Sequence, residues 1–331
     1  MAKVSLLFLL IGILLGCQKS PSVDDHGILP PQRITIAYTT QPQNTLVHVA
    51  VAKGYFKEEG LDVQSLMFTY GRASLQSLLD HNSDFAAVAE TPFMFNVLKG
   101  EKIFLIANVE ASSKNNAIVA RKDAGITTTG DLKGKRIGFT PGTTSDFFLD
   151  SLLTANNLTR NDIKPIALKP EEMADAITEN KVDAVCTWNY PLTQIKRLLA
   201  DNGIIFQDPY IYTETYNFAT GQEFANKNPE TVKRFLRAML KAERFVADHT
   251  SDAEAIMATA TKTDIELVRE VWNTFNYRVT LDQRLLLTLE DETRWAIKNH
   301  LTDKTVMPDY RKFIHADSLR AVAPGAVRTD W

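Results

Sequence analysis

Short apolar runs alternate with amphipathic segments from residue 33 to residue 206, and this alternation limits the possible folds more than any other feature. RITIAY (33–38), LDVQSLMF (61–68) and DFAAVA (84–89) are typical of strands, and each precedes a segment with apolar residues at helical spacing. The same unit recurs between residues 136 and 206. Strands that alternate with helices predict an α/β fold with largely parallel sheets.

The end of the chain has a different pattern, which is nearly all helical from residue 223 onward. Asn228-Pro229 opens a long amphipathic helix, and further helices are predicted near 252–260, 264–276 and 281–299. A chain of 331 residues also exceeds the size of a usual single core. We therefore predict two α/β lobes with a helical C-terminal section.

The N-terminus carries a positive start followed by an apolar run, VSLLFLLIGILLG, which is shorter than the ~20 residues of a membrane span. The run ends in Leu14-Leu15-Gly16-Cys17, which resembles the lipobox of bacterial lipoproteins. That resemblance implies export, cleavage before Cys17 and lipidation of Cys17. The expected organisation is a signal peptide at 1–16 and a flexible tether at 17–32; the alternatives are a plain signal peptide or a buried first helix.

Composition and motifs exclude several classes of function. A net charge of −3 and a pI near 6.1 show none of the excess positive charge with which proteins bind the phosphates of nucleic acid. The six histidines are scattered without metal-ligand spacing, and nucleophile-elbow, Walker and HExxH motifs are absent from the sequence. Cys186 lies in an apolar run and is predicted to be a buried structural thiol. We expect no metal, no cofactor and no catalytic constellation.

Five segments of the chain, taken in order, carry a resemblance to one family. They are GYFKEEGLDV (54–63), SDFAAVAETP (83–92), DLKGKRIGFTPGTTS (131–145), NKVDAVCTWNYP (180–191) and KNPETVKRFLRAMLKA (227–242). Together they resemble the nitrate, sulfonate, taurine and thiamine-precursor group of ABC-transporter substrate-binding proteins, often called SsuA/THI5-like. The resemblance implies a type 2 periplasmic-binding-protein fold, with a first lobe at 33–113, a second lobe at 114–212 and a return to the first lobe at 213–331.

The implied fold directs four strand-to-helix turns into one ligand cleft, because ligands of open α/β sheets bind beyond the carboxyl ends of the strands. The turn at 142–145 offers backbone N–H groups and hydroxyls that suit an anionic oxygen cluster. The alternative is that Thr143 or Thr144 only caps its own helix. The candidate ligand-binding residues are Thr40, Gln41, Asn44, Glu90, Thr91, Gly142, Thr143, Thr144, Ser145, Trp188 and Asn189.

Two of these residues suggest the chemistry of the ligand. Glu90 ends a buried strand, where a carboxylate needs a partner, so we expect it to face an amine, amidine or protonated ring. It could instead cap a helix or pair with a protein cation. Trp188 could stack on a planar ligand or pack between the lobes. Arg72 could add a charge, although a surface position is the simpler interpretation. A taurine-like zwitterion and an amino-pyrimidine both fit.

The predicted function is therefore that of a monomeric substrate-binding lipoprotein. It would serve the permease and ATPase subunits of an ABC importer and be held to a membrane by its lipid anchor. An enzyme of the same fold, related to pyrimidine synthases, would carry Lys and His in the segment equivalent to 84–96 and a Cys-rich run near 213–220. Here those segments are DFAAVAETPFMFN and TETYNFAT, which lack these residues. A ligand sensor without a transporter remains an alternative.

Overall fold

The computed structural model describes residues 31–329, and its first segment alternates strands with helices as the sequence predicts. The signal peptide, Cys17 and most of the predicted tether lie outside the described residues. The elements of this segment are β1 (Gln32–Thr39), α1 (Thr45–Ala52), α2 (Tyr55–Glu58), β2 (Leu61–Phe68), α3 (Gly71–Leu79), β3 (Phe85–Ala89), α4 (Glu90–Lys99) and β4 (Ile103–Ser112).

The second segment repeats the same alternation. Gly142, in the turn before its first helix, has a φ of +68°, a left-handed conformation that favours glycine. The elements are β5 (Asn116–Arg121), β6 (Arg136–Phe139), α5 (Thr144–Ala155), β7 (Lys164–Ala167), α6 (Met173–Thr178), β8 (Ala184–Trp188), α7 (Asn189–Leu199) and β9 (Gly203–Phe206).

The last segment is largely helical, with two short strands and one long strand, at 214–221, that the sequence pattern did not predict. None of the helices in the described part of the chain is long and apolar enough to cross a membrane. The elements are β10 (Glu214–Gly221), α8 (Gln222–Lys227), α9 (Pro229–Asp248), α10 (Thr250–Thr261), α11 (Ile265–Trp272), β11 (Leu281–Asp282), α12 (Gln283–Lys298), α13 (Asp317–Val322) and β12 (Val327–Arg328).

The strands form two five-stranded sheets, which we use to name two lobes. Lobe 1 contains the sheet β2-β1-β3-β10-β4 with the C-terminal helices, and lobe 2 contains the sheet β7-β6-β8-β5-β9. Four of the five strands in each sheet run in one direction, as expected of largely parallel sheets. The fifth strand makes each sheet mixed, because β10 runs antiparallel to β3 and β4, and β5 runs antiparallel to β8 and β9. The chain crosses from lobe 1 to lobe 2 between β4 and β5, and it crosses back between β9 and β10. β5 and β10 therefore start at the cleft and run away from it. The other strands of each sheet run toward the cleft, so they are antiparallel to β5 and β10.

The core of lobe 1 is built around an aromatic cluster that joins α9 to the sheet. Phe235 of α9 stacks on Phe85 of β3 with ring centroids 4.3 Å apart, and it meets Phe218 of β10 at 4.8 Å and Phe56 of α2 at 5.6 Å. All four side chains are buried. Such aromatic pairs add to the stability from burial alone, so α9 fixes β10 in the middle of the sheet.

Truncation of this cluster should destabilise lobe 1. We expect Phe235→Ala to lower the free energy of unfolding by about 3–5 kcal/mol, because it removes a fully buried ring and leaves a cavity. Urea unfolding followed by circular dichroism measures the change. Leu198→Ala, at a residue that is 61% exposed, is the matched control and should change stability little. Equal effects of the two substitutions would contradict this account of the core.

Candidate functional site

A small cavity lies between the two lobes where strands from both sheets end. Its volume is about 30 Å³, which is room for roughly two waters. Typical ligand pockets have ~300–1,000 Å³, so the lobes are closed in this structure. The lining residues are Gln41, Gln43, Tyr70, Gly71, Arg72, Ala89, Pro92, Thr143, Thr144, Trp188, Glu214 and Tyr216.

Glu214 is the carboxyl group of this cavity. It begins β10 and is almost fully buried. Its Oε1 accepts hydrogen bonds from Gln43 Nε2 (3.2 Å) and Asn115 Nδ2 (2.8 Å), and its Oε2 accepts one from Asn116 Nδ2 (2.6 Å). Burial raises the pKa of Glu214, and these amide donors offset part of that increase. The carboxyl group thus ties both interlobe crossings together.

The turn at 142–145 forms one wall of the cavity, but its hydroxyls are occupied. Thr143 Oγ1 donates to the carbonyl oxygen of Thr140 (2.7 Å), and Thr144 Oγ1 donates to Asn116 Oδ1 (3.0 Å). No side chain caps the N-terminus of α5, so the helix-cap alternative does not describe Thr143. Asp146 N and Phe147 N already donate to the carbonyl oxygen of Thr143, so the backbone N–H groups of Thr144 and Ser145 are the donors of this wall.

A chain of polar contacts connects this turn to lobe 1. Gly142 N donates to Asp146 Oδ2 (2.8 Å), and Arg160 bridges Asp146 Oδ1 (2.7 Å) and Asp150 Oδ1 (2.6 Å). Trp295 of α12 then donates through Nε1 to Asp150 Oδ2 (2.8 Å). Since α12 belongs to lobe 1 and α5 to lobe 2, these contacts hold the cavity wall in place while the lobes are closed.

Arg72 lies at the mouth of the cavity. It is exposed, as the simpler interpretation predicted, but its Nη1 crosses the cleft and donates to the carbonyl oxygen of Pro141 (3.1 Å). It also lies beside Gly142, where a Cβ would approach its Nη1 to 3.7 Å. Outside Arg72 and Tyr70, a groove of about 1110 Å³ opens between the lobes. The cavity therefore has a positive charge at its entrance and a carboxyl group within.

The structure gives Glu90 a different role from the one expected. Glu90 is the first residue of α4 and is fully buried. Its Oε2 accepts from Thr215 N (2.9 Å) and Thr215 Oγ1 (3.0 Å), and Tyr212 Oη donates to its Oε1. It is not among the residues that line the cavity, where Glu214 supplies the carboxyl group instead. Thr91 also turns away from the cavity and donates to Glu292.

The other candidates divide between the lining and a supporting layer. Gln41 and Trp188 line the cavity. Asn189 reaches across the cleft, with its Nδ2 donating to Gln43 Oε1 (3.1 Å). Three candidates support the lining from behind. Thr40 N donates to the carbonyl oxygen of Phe68 (3.1 Å), and Asn44 Nδ2 donates to Thr39 Oγ1 (2.6 Å). The hydroxyl oxygens of Ser145 and Thr143 lie 3.1 Å apart.

Sequence reasoning missed Glu214 and Tyr216, although the sequence contained a signal for them. The segment TETYNFAT alternates in period two, which places Glu214, Tyr216 and Phe218 on one face of a strand. Gly71 permits the close approach of Tyr216, since a Cβ at that position would lie 2.5 Å from the Tyr216 hydroxyl. No group of three or more His, Cys, Asp or Glu within residues 31–329 is arranged to hold a metal ion.

Comparisons with known proteins agree with this architecture. A family model described as NMT1/THI5 like matches residues 41–253, a range that contains all five segments of the resemblance. The "Putative aliphatic sulfonates-binding protein" of Bacillus subtilis is 26% identical over 271 residues, which cover 80% of this chain and 80% of that protein. A "Putative binding protein" of Brucella abortus is 29% identical over 227 residues, which cover 66% of this chain and 68% of that protein.

A solved structure confirms the predicted fold. The periplasmic aliphatic sulphonate binding protein SsuA from Escherichia coli superimposes with a TM-score of 0.74 at 18% identity, over 86% of this chain and 97% of that one. Its fold is the two-lobed α/β fold that the resemblance implied. These three proteins are named as binding proteins, which agrees with the prediction of a binding protein rather than an enzyme.

The buried Glu90 should make stability depend on pH. Burial, and then the charge of Glu214, raise its pKa from 4.5 to about 8. Its contribution to stability is therefore full below the unfolded pKa and is lost as the pH rises toward about 8. We expect the free energy of unfolding to fall across this window by up to about 1.4 kcal/mol per pH unit from this group, and less steeply in Glu90→Gln.

Urea unfolding at about pH 5, 6.5 and 8 measures both slopes. Glu171→Gln, at an exposed acid, is the control and should keep the wild-type slope. Identical slopes in Glu90→Gln and wild type would show that Glu90 is ionised in the folded protein at low pH.

Proposed function

This chain belongs to the NMT1/THI5-like family, and we propose that it captures a small zwitterionic organic molecule. It is a substrate-binding protein of an ABC importer and acts outside the cytoplasm, as its periplasmic relatives do. The observation that carries the proposed ligand class is the pair of opposite charges at the cavity, Arg72 at the mouth and Glu214 inside. The ligand is then a taurine-like molecule, with an acidic group at one end and a protonated nitrogen at the other.

The acidic end fits the wall formed by Arg72 and the start of α5. An arginine donates several N–H groups to sulfonate or carboxylate oxygens in charge-assisted hydrogen bonds. The N-terminus of α5 adds at most ~2 kcal/mol for an anion. Micromolar affinity requires about 8 kcal/mol, so the remainder must come from further hydrogen bonds and from water excluded as the lobes close.

The protonated nitrogen fits Glu214. A carboxylate at this depth would repel a purely anionic ligand, and a protonated nitrogen gives it a charged donor. The three amide groups around Glu214 come from Asn115 and Asn116 of the first crossing and from Gln43, so they fix its orientation before the ligand arrives. Relatives of this chain are named for sulfonates, and a sulfonate that also carries an amine satisfies both ends of the cavity.

Ligand entry requires the lobes to separate. The closed cavity of about 30 Å³ is smaller than any such ligand. The interlobe contacts around it are few and local, such as Arg72 with Pro141 at 3.1 Å and Asn189 with Gln43 at 3.1 Å. A ligand that touches both lobes favours closure by its differential affinity for the closed state.

An amino-pyrimidine is the second candidate ligand. Three aromatic side chains, Tyr70, Trp188 and Tyr216, line the cavity and offer faces for a flat ring. Its exocyclic amine would then donate to Glu214.

A ligand sensor without a transporter would use the same cavity. The presence of permease and ATPase partners distinguishes an importer subunit from such a sensor.

The proposal includes a lipid anchor at Cys17 and a monomeric protein. The supporting observation is the sequence Leu14-Leu15-Gly16-Cys17 at the end of an apolar run. Cys17 lies outside the described residues. Several acyl chains, at ~0.8 kcal/mol for each buried methylene, would hold the protein on the outer surface of a membrane.

Substitution of Glu214 tests the ligand class. We expect Glu214→Gln to weaken taurine binding by roughly 10–100-fold, because a hydrogen bond to a charged group is worth ~1.5–3 kcal/mol. Ethanesulfonate, which lacks the amine, should bind as in wild type or more tightly. Calorimetric titration of both ligands measures the ratio. Glu172→Gln, at an exposed acid of the outer groove, is the control. An unchanged ratio in Glu214→Gln would refute the zwitterion.

Substitution of Cys17 tests the anchor. Cys17→Ala should abolish incorporation of a radioactive fatty acid and leave a soluble or uncleaved protein. Cys186→Ala is the matched control, since Cys186 is fully buried and burial raises the pKa of its thiol; that variant should keep the label. Equal labelling of Cys17→Ala and wild type would exclude lipidation at Cys17.

A further inference from the structure

Buried carboxyl groups accumulate beside the cavity without any cation. Glu90, Glu110, Glu214 and Glu292 are each at most 1% exposed. None of them forms an ion pair with a described Lys, Arg or His, and the charges that act on Glu110 are those of Glu214 and Glu90. Four carboxylates cannot all be ionised in such an environment, because an uncompensated buried charge costs several kcal/mol. At least some of them therefore hold a proton.

Glu110 is the member of this set that has no hydrogen-bond partner among residues 31–329. Both of its carboxyl oxygens are buried without a bond to this part of the chain, whereas Glu90 and Glu214 accept several. An unpartnered buried carboxylate is far more costly than a neutral acid. Burial, and then the charges of Glu214 and Glu90, raise the pKa of Glu110 well above its ordinary value.

The sheet register places Glu110 on the cavity side of lobe 1. Glu110 of β4 lies directly opposite Tyr216 of β10, and directly opposed residues of an antiparallel pair share one face. Tyr216 lines the cavity together with Glu214, two residues earlier on the same face. The unpartnered carboxyl group therefore points to the same side of the sheet as the ligand cavity, behind Tyr216.

The charges that shift the pKa of Glu110 are those of two acids, Glu214 on β10 and Glu90 at the start of α4. The other titratable groups of this region are Tyr216 on β10 and Tyr277 in the segment before β11, on which Glu254 of α10 and Tyr190 of α7 act. The basic residues of the same elements are Lys99 of α4, Lys196 and Arg197 of α7, and Arg278 beside Tyr277, and none of them is among the groups that shift the pKa of Glu110.

We propose that Glu110 is the proton-exchanging group of the binding site, and that it gives up its proton when a ligand with a protonated nitrogen binds beside Glu214. The inference rests on the proposed function and deepens it. The O–H bond of Glu110 breaks and its proton passes to the solvent. The ligand's nitrogen cation, which also pairs with Glu214, lowers the cost of the negative charge that remains on Glu110. The binding site thereby selects cationic nitrogen and rejects ligands that carry only an anion.

The affinity for such a ligand then depends on pH in a defined direction. The free protein holds a proton on Glu110, and the bound cation favours loss of that proton. Binding therefore releases up to one proton, and affinity rises with pH by up to about tenfold per pH unit until Glu110 is ionised in the free protein or the ligand loses its own proton. A ligand without the nitrogen shows no such rise.

Calorimetry with taurine and ethanesulfonate, in two buffers of different ionisation heat at each pH, counts the protons. We expect wild type to release protons with taurine only, and Glu110→Gln to release none. Glu292→Gln is the matched control: it removes a buried carboxyl of the same set, which contacts Thr91 of α4 rather than the cavity lining. This variant should behave as wild type does.

The outcomes separate this inference from the function on which it rests. Taurine binding without proton release, or with equal release in Glu110→Gln, overturns the role of Glu110 and leaves the binding function intact. If neither taurine nor ethanesulfonate binds wild type, both the zwitterionic ligand class and this inference fall. Without ligand, Glu110→Gln should also reduce the loss of stability that occurs as the pH rises, and an unchanged loss would overturn the claim that Glu110 holds a proton.

Discussion

The burial of carboxyl groups where the two lobes meet is the constraint on which the rest of the site depends. The carboxyl oxygens of Glu214 accept hydrogen bonds from Asn115 (2.8 Å) and Asn116 (2.6 Å), which lie on the first crossing between the lobes. The carboxyl oxygens of Glu90 accept hydrogen bonds from Tyr212 and Thr215, which lie on the second crossing. Each crossing thus carries donors for a carboxyl group, and displacement of either segment would leave a buried acid without a partner.

Closure of the lobes depends on the C-terminal helices as much as on the cavity. Trp295 of α12 bonds to Asp150 of α5, and Glu270 of α11 pairs with Arg197 of α7. The second contact is a surface ion pair, which contributes only ~0–1 kcal/mol. A ligand of micromolar affinity supplies about 8 kcal/mol. Ligand contacts are therefore large enough to determine how much of the protein is closed, while the helices determine the geometry of closure.

The electrostatics of the cavity are the basis of the proposed ligand class. Two proteins similar to this chain are named for aliphatic sulfonates, at identities of 26% and 18%. At such identity the fold is retained while individual lining residues can differ. A cavity with Arg72 at its mouth, Glu214 inside and Glu110 behind Tyr216 carries more acid than base. We therefore assign selectivity to the nitrogen end of the ligand and general anchoring to its acidic end.

The sequence by itself determined the order of elements, because the spacing of apolar residues is a local property. β2 spans Leu61–Phe68 and α9 begins at Pro229, as the pattern predicted. Four of the candidate residues line the cavity, namely Gln41, Thr143, Thr144 and Trp188. The tertiary structure alone decided that β10 lies between β3 and β4, since its partners are more than a hundred residues away in sequence. It also decided which acid lines the cavity. The first turn of α4 directs Glu90 toward Tyr212 and Thr215, and only the pairing of β10 brings Glu214 into the cavity, because the direction of a side chain follows from the partners of its strand.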